Sequence, residues 1–246
     1  MNDCIAIFGA VKEEITGIKR AMNISDRVRL GKTDAWPGRW KQQNIVLVRS
    51  GVGQHRAEDA VHQIIDHFKP KVLISTGYAG AVQPELNVGD LLIADSIMEA
   101  DDKGGRKYFP DPNWLNRARS ITSPEGTKAV VGGLLTVNTV IHDPTTKREL
   151  GSNYCVQAVE METSAIARVA GNKGLPLLSV RVISDGIDQE LLDSSSFLGS
   201  DGEISTLKAG WYVLTHPGSL KSALSLRAQT QFATQTLTKF LSDLLD

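Results

Sequence analysis

The run Leu177-Leu178-Ser179-Val180-Arg181-Val182-Ile183 is apolar at nearly every position and opens onto Ser184-Asp185-Gly186. It lacks the in-out alternation of a strand with one wet face. It therefore reads as a strand covered on both sides, the kind found in sheets sandwiched between helices. Just upstream, Gly174-Leu175-Pro176 ends a helix over residues 162–170 that has small residues along one side. Residues 156–159 and 130–137 are strand-like, and residues 91–94 make another strand after Gly89-Asp90. Residues 72–75 are a strand ending in the turn Thr76-Gly77-Tyr78-Ala79-Gly80. Ala57, Ala60, Val61, Ile64, Ile65 and Phe68 recur at helical spacing until Pro70. Residues 44–49 are a strand closed by Ser50-Gly51-Val52-Gly53, and residues 4–11 a strand that runs into Lys12-Glu13-Glu14 and a helical pattern through Ile18.

Polar residues 99–112, with Gly104-Gly105 and two prolines, read as a long loop, and residues 220–245 as a long amphipathic helix. Strands and helices alternate with no repeat and no linker long enough to separate domains. The expected fold is α/β: one domain over residues 1–246, three-layer α/β/α, with a mostly parallel twisted central sheet.

The formal charge of −1 over 246 residues offers no basic face for nucleic acid, so the expected partner is a small molecule or another copy of the chain. Cys4 and Cys155 form no CxxC pair and sit in apolar runs, which reads as reduced core thiols of a cytoplasmic protein. The start, MNDCIAIFGAV, is short, lacks a basic lead and runs into charge; it reads as a first strand and not as a signal peptide. No run approaches the roughly 20 apolar residues of a membrane span, so no stable membrane insertion is expected. The histidines are scattered, and His62 with His67 misses the i, i+4 ligand spacing, so no metal site is expected. Gly51-Val52-Gly53 lacks the third glycine and acidic partner of a dinucleotide fingerprint; it reads as a tight turn allowing close backbone approach, and no cofactor is expected.

In open α/β sheets ligands lie beyond the carboxyl ends of the strands. Residues 9–14, 76–80, 159–162 and 184–188 all fall there. In Ala158-Val159-Glu160-Met161-Glu162-Thr163-Ser164-Ala165 two carboxylates stand two positions apart at a helix start, a spacing at which they cannot point the same way. Either one faces the site while the other serves the helix N-terminus, or both are helix-start acids. Asp185, directly after a buried strand, either acts chemically or is strongly paired, and Ser184 is placed to cap the following turn.

Gly9-Ala10-Val11-Lys12-Glu13-Glu14, Thr76-Gly77-Tyr78-Ala79-Gly80, Val88-Gly89-Asp90, the run from Val159 to Ala165, and Arg181 to Asp185 stand in this order. Together they resemble the purine nucleoside phosphorylase superfamily, most closely its methylthioadenosine/S-adenosylhomocysteine nucleosidase branch. The C-terminal part, with Gly202-Glu203-Ile204, residues 211–217 and the last helix, is similar to the hopanoid-associated nucleoside phosphorylase-like branch. The apolar cluster Trp211-Tyr212-Val213-Leu214 reads as core or subunit interface.

The resemblance implies cleavage of the N-glycosidic bond of a purine nucleoside, adenine-type with a 5′-modified ribose. It also implies a homo-oligomer, dimer or trimer. Asp185 matches the acid that protonates ring nitrogen 7. Glu162 matches the glutamate holding the ribose hydroxyls, with Met161 against the sugar. Glu14, or Glu13 one position earlier, matches the residue that activates water. The base would stack near Val159 and Ile141, and Tyr78, Ala79, Gly80, Glu160 and Ser184 complete the expected binding residues. This chain departs from the pattern twice. Ser75 stands where phosphorylases carry a phosphate-gripping arginine, which favours water over phosphate unless Arg49 substitutes. Tyr78 stands where the nucleosidases have serine; its phenol either positions the nucleophile or fills the pocket, which would leave a nucleoside-binding homologue.

Overall fold

The computed structural model describes residues 3–100, 105–189 and 219–246. Residues 202–204 and 211–217, which carry the resemblance to the hopanoid-associated branch, lie outside the described residues.

In chain order the strands are β1 (Cys4–Gly9), β2 (Asn23–Ile24), β3 (Val28–Leu30), β4 (Thr33–Trp40), β5 (Gln43–Arg49), β6 (Val72–Ala81), β7 (Leu91–Glu99), β8 (Lys107–Tyr108), β9 (Ala129–Thr136), β10 (Ala158–Glu160) and β11 (Leu177–Asp185). The helices are α1 (Lys12–Ala21), α2 (Gln54–Phe68), α3 (Pro112–Arg119), α4 (Pro144–Tyr154), α5 (Thr163–Lys173) and α6 (Ser219–Leu244).

β1 shows why the fold has two cores. Cys4, Ala6 and Phe8 join one cluster with Ala57, Val61 and Ile64 of α2 and Ala165, Ile166 and Val169 of α5. Ile5 and Ile7 point the other way, onto Ile15 and Ile18 of α1 and Leu237, Phe240 and Leu241 of α6. The two-residue period of a strand turns one apolar run into two buried faces. Each fully buried isoleucine or phenylalanine contributes ~1.5–3 kcal/mol, so both helix layers are held firmly.

Among the described residues the sheet has the order β10-β9-β7-β11-β6-β1-β5-β4-β2, with β3 on β4 and β8 on β7. The expectation of a mostly parallel sheet needs correction. β1 pairs parallel with β5 and β6, β11 with β6, and β9 with β7 and β10. The six other pairings, including β11 with β7 and β10 with β6, are antiparallel. A strand covered on both faces carries the same apolar run whichever way its neighbour points. Because β10 bonds both β9 and β6, the strands β6, β10, β9, β7 and β11 close into a ring.

Local readings change too. Thr76 to Gly80 is no turn but the second half of β6, held extended by the parallel ladder to β11 in which Gly77 faces Arg181 and Ala79 faces Ile183. The expected loop over residues 99–112 contains β8, and α3 follows it with Asp111 as N-cap accepting from the Asn113 and Trp114 amides. Cys4 is buried, but Cys155 is exposed: it ends α4 in the left-handed region at φ 51°, which turns its side chain outward.

Candidate active site

The ring of strands brings three segments onto Gly80. Val159 of β10 pairs with it from one side, and Asp185 of β11 from the other, past a bulge after Ile183. A side chain at residue 80 would put its Cβ 2.9 Å from Asp185 Oδ2, so this close approach requires glycine. A cavity of about 320 Å³ opens here, a size suited to a small-molecule ligand. Glu14 enters it from α1, Tyr78, Ala79 and Gly80 from β6, and Ile141 from the loop before α4. Val159, Glu160, Met161 and Glu162 line it from β10 and the start of α5, and Ser184 and Asp185 from the end of β11. Thus Glu14, Asp185 and the expected binding residues border one cavity, while Glu13 and Arg49 do not.

Glu14 is the third residue of α1, and its carboxylate turns back over the helix start. Oε2 accepts from the amides of Ala10 at 2.6 Å and Val11 at 3.1 Å, and Oε1 from the amide of Tyr78 at 2.8 Å. Glu13 is exposed, so the register question falls to Glu14. A Cβ on Gly77 would overlap both the Glu14 carboxylate and the Arg181 guanidinium, and its φ of 144° disfavours other residues. Burial pushes the Glu14 carboxyl above the usual carboxylate range, against the pull of Arg181 and the three amides.

Glu160 and Glu162 are treated oppositely. Glu160 Oε1 accepts from the Thr136 hydroxyl at 2.5 Å, and Oε2 from the amides of Glu162 and Thr163 at 3.0 and 2.9 Å. Arg181 Nη2 adds a buried ion pair to it at 2.7 Å. Glu160 therefore serves the α5 N-terminus and the buried arginine. Glu162 takes one amide, that of Gly53 at 2.7 Å, through Oε1. Burial, and then the adjacent Glu160 charge, push the Glu162 carboxyl up to about 8.

Two buried cations stand behind this wall. Arg181, 1% exposed, also lies 2.8 Å from Ser75 Oγ, 2.6 Å from Thr163 Oγ1 and 3.1 Å from the Thr76 carbonyl. Lys147, fully buried on α4, meets Asp185 Oδ2 at 2.6 Å, while the Ser184 hydroxyl donates to Oδ1 at 2.7 Å. Ser184 thus bonds its neighbour's carboxylate and the Ala79 carbonyl from within β11, in place of the expected cap on the following turn. Four carboxylates line the cavity, and no lysine or arginine among the described residues does. Arg49 is turned elsewhere, onto Asp34 at 2.5 Å.

Residues 4–204 match the model of the phosphorylase superfamily. The chain belongs to the phosphorylase superfamily. Among its superfamily relatives, a 5′-methylthioadenosine/S-adenosylhomocysteine nucleosidase of Listeria welshimeri is 33% identical over 205 residues, covering 76% of this chain and 88% of the relative. One from Staphylococcus epidermidis is 25% identical over 218 residues, 80% of this chain and 96% of the relative. The crystal structure of the Neisseria meningitidis nucleosidase in complex with methylthio-immucillin-A superposes with a TM-score of 0.78 at 22% identity, covering 99% of this chain and 98% of that one. The native structure of futalosine hydrolase of Helicobacter pylori gives 0.76 at 21%, covering 99% and 97%.

Tyr78 borders the cavity from β6. Its hydroxyl is 2.6 Å from Thr234 Oγ1 on α6, and burial pushes its proton affinity well above the ordinary phenol range. This bond ties β6 to the last helix. Sequence reasoning missed Lys147, which sits in the charged stretch Lys147-Arg148-Glu149 and looks solvent-facing there. It also missed the Gly53 amide as a partner of Glu162, although the glycines around Val52 signalled close approach. Ala10, Val11, Val52, Val137, Thr139 and Val140 line the cavity as well, with no chemical signal to mark them. Among the described residues no group of three His, Cys, Asp or Glu could hold a metal ion, and no helix is long and apolar enough to cross a membrane.

Proposed function

We propose that this chain is a purine nucleosidase: it cleaves the N-glycosidic bond of an adenine-type nucleoside with a 5′-modified ribose, and water is the nucleophile. The observation that carries this reading is the lining of the cavity, four carboxylates without a facing cation. A phosphate dianion needs a cationic cradle, and here the nearest guanidinium is already spent on Glu160. Ser75 turns its hydroxyl to that same guanidinium. Water needs the opposite, a positioned base. Glu14, held by three amides and raised in proton affinity by burial, fits that role.

In this reading Glu162 grips the ribose hydroxyls with the oxygen that Gly53 leaves free, and Met161 packs on the sugar. The base lies against Val159 and Ile141. Asp185 protonates ring nitrogen 7, so that the electron pair of the breaking bond settles on a neutral leaving base. Oxocarbenium character at the sugar is stabilised by the surrounding carboxylates. The names of the Listeria and Staphylococcus relatives support adenine nucleosides with a thioether at the 5′ position as first substrates to try. The reading also takes the chain as one domain, supported by the single continuous sheet. It takes it as a cytoplasmic homo-oligomer of two or three copies, as the family resemblance implies, and light scattering tests that number.

The deciding experiment incubates the protein with 5′-methylthioadenosine, with and without inorganic phosphate, and separates the sugar products. Free sugar and adenine should form at the same rate in both, and Glu14→Gln should suppress them by about 10²-fold or more. A sugar 1-phosphate formed only when phosphate is added would replace hydrolysis with phosphorolysis. Tight nucleoside binding with no base released over hours would leave a binding homologue.

A further inference from the structure

Lys147 has no solvent contact, yet it is surrounded by acceptors. Besides Asp185 Oδ2 at 2.6 Å, its ammonium donates to the carbonyls of Gly186 at 3.0 Å and Gln189 at 3.1 Å. Its three protons thus have three acceptors. The neighbouring Arg148 pairs with Asp188. α4 therefore holds residues 186–189 beyond β11, and it follows directly from the loop containing Thr139, Val140 and Ile141 that walls the cavity. Nothing in the helix itself requires a buried lysine. Burying an ammonium is expensive unless it is paired, and its carboxylate partner is one that borders the cavity.

The geometry points to Lys147 as a positioning residue for protonation of the leaving base, an inference that rests on the nucleosidase reading above. As the bond from the anomeric carbon to base nitrogen 9 breaks, its electron pair moves into the purine. Nitrogen 7 takes the proton of the Asp185 carboxyl, and the water oxygen bonds the anomeric carbon while its proton passes to Glu14. Asp185 becomes a carboxylate at that moment. Lys147 keeps its three protons and faces the charge that appears on Oδ2. Its fixed ammonium stabilises the state after transfer more than the state before it, which is the condition for lowering the barrier. The carbonyls of Gly186 and Gln189 keep the ammonium from swinging away.

The test compares Lys147→Met with the wild type on 5′-methylthioadenosine, on its 2-fluoroadenine counterpart, and on a C-nucleoside of adenine, whose carbon–carbon bond cannot be cleaved. For Lys147→Met, kcat on the adenine substrate should fall about 10- to 100-fold, part of what a general acid contributes. Affinity for the C-nucleoside should stay within about threefold, since the loss lies in the transition state and not in binding. The fluorinated base leaves more readily, so its loss should be several-fold smaller. Equal losses on both substrates, or lost C-nucleoside affinity, would reduce Lys147 to a structural residue. Unchanged kcat would remove it from the reaction altogether. If Lys147→Met does not fold, Lys147→Gln, which keeps a donor without the charge, is measured in the same way. A wild type that releases no base from either substrate would overturn the nucleosidase reading itself, an outcome separate from any difference between variant and wild type.

Discussion

At one end of the cavity a single guanidinium, Arg181, serves three carboxylates: Glu160 by direct contact, Glu14 and Glu162 through its field. At the other end a single ammonium, Lys147, serves one carboxylate, Asp185. The arithmetic of charge separates the two ends. Where one cation is shared and burial is nearly complete, the surplus carboxylates are held with raised proton affinity, which suits a base and a hydroxyl grip. Where the ratio is one to one, the carboxylate is fixed in direction, by Lys147 on one oxygen and Ser184 on the other. Both cations are buried and neither lines the cavity, whose described lining offers four carboxylates, Tyr78, Thr139 and Ser184 on an otherwise apolar wall.

Breaking the one-to-one end should give the largest effect. Asp185→Asn should retain nucleoside binding and lose about 10²–10⁴-fold in kcat, the range of general acid catalysis; equal turnover would take Asp185 out of the mechanism. At the shared end, Arg181→Met should lower stability by about 3–5 kcal/mol, because a buried ion pair loses one partner. Thermal unfolding should show that as a fall in Tm of roughly 6–20 °C.

The surplus charge can be relieved directly. The folded-state pKa of Glu162, about 8, lies above the ordinary carboxyl value of 4.5, so the folded chain binds the extra proton. Stability is therefore fully present below the unfolded value and is lost as pH rises through that window. Glu162→Gln lacks this penalty. Its melting temperature should match the wild type near pH 4 and exceed it by pH 9, by at least about 2 kcal/mol or roughly 4–8 °C. A constant difference across pH would mean that Glu162 is not the strained group. The smallest effect should come from Tyr78→Phe, which removes the bond to Thr234 and lowers stability by about 0.5–1.5 kcal/mol. Its kcat should change less than about threefold if the ring is only wall; a larger loss would return the phenol to the nucleophile.

The buried character of β11 was legible because a strand covered on both faces cannot carry polar alternation. The positions of Glu14, Glu162 and Asp185 were legible because each falls at or just past a strand end. The short strands β2, β3 and β4 were not, since Gly31, Pro37 and Gly38 interrupt any period there. The segment from Thr76 to Gly80 reads locally as a turn, and only the ladder to β11 keeps it extended. Lys147 illustrates the same limit. Its neighbours in the chain are charged, and its burial depends on residues 185, 186 and 189 arriving from another strand.

The amino-acid sequence by itself determined which elements are buried on two faces, which strand ends carry carboxylates, and that glycine stands at residues 77 and 80. These follow from local period, from hydrophobicity and from the backbone freedom of glycine. Tertiary structure alone decided which strands run antiparallel, which of Glu160 and Glu162 keeps an oxygen toward the cavity, where the Tyr78 hydroxyl points, and which cation faces which carboxylate. Each of those depends on the field and the hydrogen-bond partners supplied by segments as many as 156 residues away in the chain, and no local pattern encodes a partner at that distance.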